Sequence, residues 1–129
     1  MVICKPDAVE RRLVGEIIRR IEAEGLSLAA AELRLLDTET LDRHYGEHLG
    51  KPFYGDLVMF MSRSPSLLLV VEGAPETHLK VRAIMGATDP ARADSGTIRG
   101  DLGTGMPENL VHGSDSAESA EREIAIFFP

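Results

Sequence analysis

The stretch from Ala87 to Gly113 most limits what this chain can fold into. It carries Gly96, Gly100, Gly103, Gly105 and Gly113, with Pro90 and Pro107, and it follows neither a helical nor a strand period. It is therefore expected to be mostly loop. A long irregular connection inside a compact domain is uncommon, and such segments usually carry function. The rest of the 129 residues must then supply the core, and one domain spanning 1–129 is expected.

Outside that stretch the elements are short, with single glycines and prolines between them. Met1 to Cys4 reads as a strand. Leu13, Val14, Ile17, Ile18 and Ile21 recur at helical spacing, which predicts an amphipathic helix over Leu13–Glu24 with Gly25 as its stop. Leu26–Leu36 reads as a strand with Leu26, Leu28, Leu33 and Leu35 facing the core. Thr38 or Thr40 is expected to cap a helix running through His48, and Pro52–Met61 reads as another. Ser66–Val71, apolar and bounded by Pro65 and Gly73, reads as a buried central strand. Thr77–Met85 is predicted helical, capped by Thr77 and stopped by Gly86. A helix from Ser116 to about Glu123 and a last strand over Ile124–Phe128 complete the pattern.

Composition excludes some functions. Lys plus Arg is 14 and Asp plus Glu is 21, a net charge of −7. Such a chain lacks the basic field that a general nucleic-acid or anionic-membrane binder needs, although a small cationic pocket remains compatible with it. Its single cysteine, Cys4, permits no internal disulfide and suits a reducing cytosol. No apolar run approaches the ~20 residues of a membrane span, and no signal peptide is evident. A cytoplasmic protein is expected.

The irregular stretch concentrates Thr88, Arg99, Asn109, His112 and Ser114 between its glycines. Arginine offers a planar fork of donors to phosphate oxygens, and glycine lets backbone approach a ligand. Lys5 directly follows the first strand, and Arg82 lies on a predicted helix. Converging, these residues would make a cationic pocket in an acidic protein; singly, each reads as an ordinary surface charge. His44 and His48 stand four apart on a predicted helix, but no third metal ligand is near them and His-Glu-x-x-His is absent. His112 ends an apolar stretch just before a glycine and a helix cap. Its imidazole can serve as nucleophile or base at neutral pH, or simply as a structural group. Glu123, two turns past Ser116, can reach back to orient that ring.

Taken together, Lys5-Pro6-Asp7-Ala8-Val9, Gly15-Glu16-Ile17, His44-Tyr45, Lys51-Pro52-Phe53, Met85-Gly86-Ala87-Thr88, Gly96-Thr97-Ile98-Arg99-Gly100-Asp101, Asn109-Leu110-Val111-His112-Gly113-Ser114-Asp115-Ser116 and Ser119-Ala120-Glu121-Arg122-Glu123-Ile124 resemble the nucleoside diphosphate kinase family. The match in order and spacing covers essentially the whole chain. The resemblance implies a ferredoxin-like α+β fold, with a four-stranded antiparallel sheet covered by helices. It also implies transfer of the terminal phosphate of ATP, or another nucleoside triphosphate, to a nucleoside diphosphate by a ping-pong route.

By position, His112 would become phosphorylated. Lys5, Arg82, Thr88 and Arg99 would hold phosphates, Asn109 the sugar, and Phe53 would stack on any base. Tyr45 and Glu123 would flank the histidine, with Ser114 supporting them. Mg2+ would ride on the nucleotide phosphates with no direct protein ligand, Asp115 reaching it through water at most. A homo-oligomer, tetramer or hexamer, is implied, with no membrane and no specific nucleic-acid partner.

The chain departs from the family pattern in places. Ala8 stands where glycine is common, and Glu108 where many relatives have arginine. One residue is added between Glu72 and Arg82. Glu108 is expected to point away from a triphosphate. A nucleotide-binding module without catalysis, or a partner-binding role of the oligomer, are the alternative readings.

Overall fold

A computed structural model describes residues Met1–Pro129. In chain order its elements are β1 (Val2–Cys4), α1 (Pro6–Glu10), α2 (Val14–Ala23), β2 (Ser27–Arg34), α3 (Thr38–His44), α4 (Tyr54–Ser62), β3 (Ser66–Glu72), α5 (Thr77–Met85), α6 (Ile98–Leu102), β4 (Val111–Gly113) and α7 (Ala117–Phe127). Short 3-10 turns lie at Gly46–His48 and Pro90–Arg92. The strands form one antiparallel sheet in the order β2-β3-β1-β4. This is the expected ferredoxin-like α+β arrangement.

Helices cover both faces of the sheet, so β1 and β3 are buried on both sides. That is why Leu67–Val71 reads as an unbroken apolar run rather than an alternation. Val2, Cys4, Leu69 and Val111 pack against Ile17 and Ile21 of α2 and Val81 and Met85 of α5. Ile3 and Leu68, one position along each strand, point the other way, onto Leu41 of α3, Phe60 and Met61 of α4 and Phe127 of α7. No helix is long and apolar enough to cross a membrane.

Several expectations are corrected. Leu33 and Leu35 are both 60% exposed, and Leu36 is buried instead. Leu33 lies on the edge strand β2 and Leu35 just past its end, where no core helix covers them, although an irregularity between Leu28 and Ala30 keeps Leu33 on the face of Leu28. Leu28 pairs with Val71 and Leu33 with Leu67, so residues an odd number apart share one face, which a regular strand forbids. Asp37, rather than either threonine, caps α3, its carboxylate accepting from the Thr40 N–H at 2.8 Å. That helix stops at His44, and His48 lies in the separate 3-10 turn. Glu76, in left-handed backbone at φ +66°, precedes α5 in place of a Thr77 cap.

Ile124–Phe128 is not a strand, because α7 continues through Phe127. Glu123 and Phe127 fall on its buried side at helical spacing. The irregular stretch contains α6 and β4, and α1 occupies the Pro6–Glu10 segment for which no element was expected. All three are too short to impose a period.

Candidate active site

His112 sits in the middle of β4, paired with Ile3 of β1. Four residues on, Ser116 caps α7 by accepting the Ser119 N–H at 3.0 Å. The helix starting there brings Glu123 back beneath the strand. His112 Nε2 lies 2.7 Å from Glu123 Oε1, and Ser114 Oγ donates to the same oxygen at 2.8 Å. Glu123 is buried. Burial alone pushes its pKa up, but the bonds from His112 and Ser114 outweigh it and hold the carboxyl at about 2. An anionic acceptor requires the proton on Nε2, which leaves the lone pair on Nδ1.

The floor is cationic. Lys5 follows β1 directly, beside the residues that lead into β4, and its Nζ donates to Asn109 Oδ1 at 2.7 Å. Burial, then the neighbouring Arg99, pull the Lys5 pKa down to about 8, with Asp7 opposing. Arg99, on α6, donates to the carbonyls of Gly86 at 3.0 Å and Val111 at 2.6 Å. Burial and then Arg82 lower it to about 10, so it stays protonated at neutral pH. Asn109 donates to the Thr88 carbonyl at 2.8 Å.

A turn invisible in the sequence sets this geometry. Leu110, fully buried, has φ +74°. The Val111 N–H donates to the Asn109 carbonyl at 2.9 Å, which closes a γ-turn around Leu110. A buried leucine in such backbone stores strain of order 1–3 kcal/mol. The Lys5-Pro6-Asp7 segment holds the turn from both sides. Lys5 N–H donates to the Leu110 carbonyl at 2.8 Å, and buried Asp7 accepts the Leu110 N–H at 3.1 Å. Asn109 and His112 are thereby turned toward one cleft. Nothing in Asn-Leu-Val-His signals a left-handed residue, and only the motif Lys-Pro-Asp hinted at Asp7.

The cleft has a volume of about 240 Å³. Lys5, Tyr45, Arg82, Thr88, Arg99, Asn109, His112, Asp115 and Glu123 all line it. Ser114 lies behind it, buried against Glu123. Phe53 does not line it; its ring, 49% exposed, meets His48 at 5.4 Å on the rim. The sequence spacing relates His44 to His48. His44 is instead buried edge-on to the His112 ring, with centroids 4.8 Å apart. Burial, then His112, lower its pKa to about 3, so it is neutral. Its ligand atoms lie within 4.8 Å of those of His112 and Glu123, a proximity that no sequence spacing announced. A second hollow, about 260 Å³ between Met1, Val71, Val81 and Ala120, is mainly apolar and gathers no such polar set.

Residues 1–129 match the family profile described as nucleoside diphosphate kinase. The chain belongs to the nucleoside diphosphate kinase family. It is therefore an enzyme of nucleotide metabolism, a kinase that transfers phosphate between nucleotides. It is 58% identical to the nucleoside diphosphate kinase of Streptomyces coelicolor, over 100% of this chain and 94% of the relative. The figure for Mycobacterium marinum is 54%, over 100% and 95%.

Among solved structures, a nucleoside diphosphate kinase family protein from Babesia bovis superposes with TM-score 0.94 at 43% identity, covering 98% of this chain and 85% of that one. The halophilic nucleoside diphosphate kinase of Halobacterium salinarum in complex with CDP gives 0.94 at 45%, covering 98% and 84%.

The positions expected to depart from the family pattern sit in ordinary surroundings. Ala8 lies inside α1, in ordinary helical backbone. Arg82 reaches the cleft from α5. Glu108 turns away from the cleft and pairs with Arg63 at 2.9 Å.

Proposed function

We propose that this cleft passes the terminal phosphate of a nucleoside triphosphate to a nucleoside diphosphate through a phosphohistidine at His112, in two half-reactions sharing one site. The observation that carries this reading is the 2.7 Å contact between His112 Nε2 and the buried, anionic Glu123. It directs the imidazole lone pair to Nδ1, as a nitrogen nucleophile requires.

In the first half-reaction the Nδ1 lone pair attacks the γ-phosphorus. The bond to the β-phosphate oxygen breaks, and the diphosphate leaves with that electron pair. The ring then carries a positive charge, and its proton stays on Nε2 and donates to Glu123. The second half-reaction reverses these steps with a new diphosphate. Such transfer is mainly positioning plus charge stabilisation. Lys5, Arg82, Arg99 and Thr88 hold the phosphates, and Asn109 holds the sugar. Tyr45 flanks the ring, its phenol kept neutral by burial. Phe53 on the rim stacks on the base without reading its edge, which makes base acceptance broad.

The lining suits a cation carried in on the nucleotide. Glu123 is engaged by His112 and Ser114, so exposed Asp115, which accepts from Ser119 Oγ at 2.6 Å, is the acid left to meet it through water. Mg2+, when bound, neutralises phosphate charge. The exposed edge strand β2, with Leu33 on it and Leu35 just past it both open, favours a homo-oligomer.

The test is incubation with γ-labelled ATP and Mg2+, without acceptor, of wild type and His112→Ala. The expected result is an acid-labile, base-stable label on wild type alone, discharged by any nucleoside diphosphate. Wild type that binds ATP and takes no label would make the protein a silent nucleotide-binding module.

A further inference from the structure

Glu108 immediately precedes Asn109, so a carboxylate stands one residue from the cationic cleft. It does not line the cleft, and the reason is Arg63, just past α4. Arg63 lies over the Phe60 ring, 5.0 Å from its centroid. Its guanidinium grips Glu10 with two bonds, Nε at 3.0 Å and Nη2 at 2.7 Å. The same Nη2 reaches Glu108 Oε1 at 2.9 Å, and Ser64 Oγ donates to Glu10 at 2.5 Å. A forked bond and an aromatic surface fix the guanidinium more firmly than a lone surface pair would. It thus ties α1, the end of α4 and the Leu102–Asn109 connection together. Glu108's charge is still felt inward. Asp7, whose pKa is raised chiefly by burial, receives a further upward contribution from Glu108.

We propose that Arg63 is a positioning residue for the nucleotide site, which pins Glu108 against Glu10 and so keeps a carboxylate away from the entering polyphosphate. The proposal rests on the nucleotide kinase reading above. Released from Arg63, Glu108 would lie on a connection containing Gly103 and Gly105, free to swing toward the mouth. A unit charge at roughly 10 Å through water, against two net charges on a nucleotide, weakens binding about three- to fivefold. Salt screens such a repulsion.

The experiment compares wild type with Arg63→Gln, Arg63→Lys, Glu108→Gln, Arg63→Gln/Glu108→Gln and Arg63→Gln/Glu10→Gln. KM for ADP and kcat are measured at low and high salt. Arg63→Gln is expected to raise KM about three- to fivefold at low salt, with kcat within about twofold, and the difference should fade at high salt. Arg63→Lys keeps the charge but loses the fork and the stacking, and should raise KM by less than Arg63→Gln does. Removing the Glu108 carboxylate from Arg63→Gln should restore KM, whereas removing that of Glu10 should not.

An unchanged KM in Arg63→Gln, or equal rescue by Glu10→Gln, overturns the proposal. So does a loss of kcat and melting temperature with KM intact, which would mark a structural role alone. Wild type that exchanges phosphate while all variants share its KM leaves the kinase reading standing. If wild type exchanges none, that reading fails, and calorimetric affinities for ADP across the same proteins decide the role of Arg63.

Discussion

Glu123→Gln tests the arrangement at its centre. The substitution keeps the shape and an acceptor oxygen but removes the charge. In the native protein the carboxyl is lowered from 4.5 to about 2 despite burial. At 1.36 kcal/mol per pKa unit, that is a net preference of about 3 kcal/mol for the anion. Two bonds sustain it, from His112 at 2.7 Å and Ser114 at 2.8 Å.

As Nδ1 bonds to phosphorus the ring becomes positive, and the Nε2–H bond to Glu123 strengthens. A neutral amide supplies roughly half the strength of a charged acceptor. Transition-state stabilisation should fall by about 1.5–2 kcal/mol, or roughly ten- to thirtyfold in kcat. KM should move less than about twofold, because Glu123 does not hold the nucleotide. Steady-state exchange and single-turnover labelling of the histidine both read this out. A kcat within twofold of wild type would refute the reasoning.

The same residue predicts a pH effect on stability. A carboxyl depressed in the folded state contributes fully above its unfolded pKa, near 4.5, and loses that contribution as pH falls toward about 2. The melting-temperature gap between wild type and Glu123→Gln should therefore close across that window.

Lys5, lowered to about 8, should make stability rise between pH 8 and about 10.5, because there the unfolded chain holds a proton that the folded one has shed. A polyphosphate on Nζ reverses the shift. ADP binding at pH 9 should then take up protons, as calorimetry in two buffers of different ionisation heat would show; no uptake would place the phosphates elsewhere. Phe53→Ala should raise KM at least about fivefold, by similar factors for purine and pyrimidine nucleotides, since base stacking is worth about 1–3 kcal/mol and reads no edge. A base-dependent change would argue against stacking on Phe53. Gly100→Ala should lower the melting temperature by roughly 4–12 °C, from about 1–3 kcal/mol of overpacking. Its Cβ would press on the Asp94 backbone carbonyl and meet Thr97 Oγ1 at 2.8 Å. A melt equal to wild type would mean that the Asp94–Thr97 segment yields freely.

Much of this protein was legible before any coordinates. α2 announced itself by apolar spacing, α4 by Pro52 near its first turn, α5 by Gly86 at its end, and β3 by an apolar run between Pro65 and Gly73. The residues of the cleft were legible as types in order: Lys5, Arg82, Thr88, Arg99, Asn109, His112 and Glu123. Their convergence was not legible in the spacing, since Lys5 and Asn109 stand far apart in the chain and meet only because β1 lies beside β4. Three-residue strands are invisible to period, so β4 vanished into its loop. Leu33 shares a face with Leu28 through the irregular step at Leu28–Ala30, and its place on the edge strand β2 is what leaves it open.

Local sequence thus determined the longer helices and the central strand, because propensity and amphipathic period act over a few residues. Tertiary structure alone decided the left-handed turn at Leu110, the burial that lowers Lys5 to about 8, and the neutral state of His44. Each depends on which distant groups share a low-dielectric neighbourhood, and the chain acquires that arrangement only on closing its sheet.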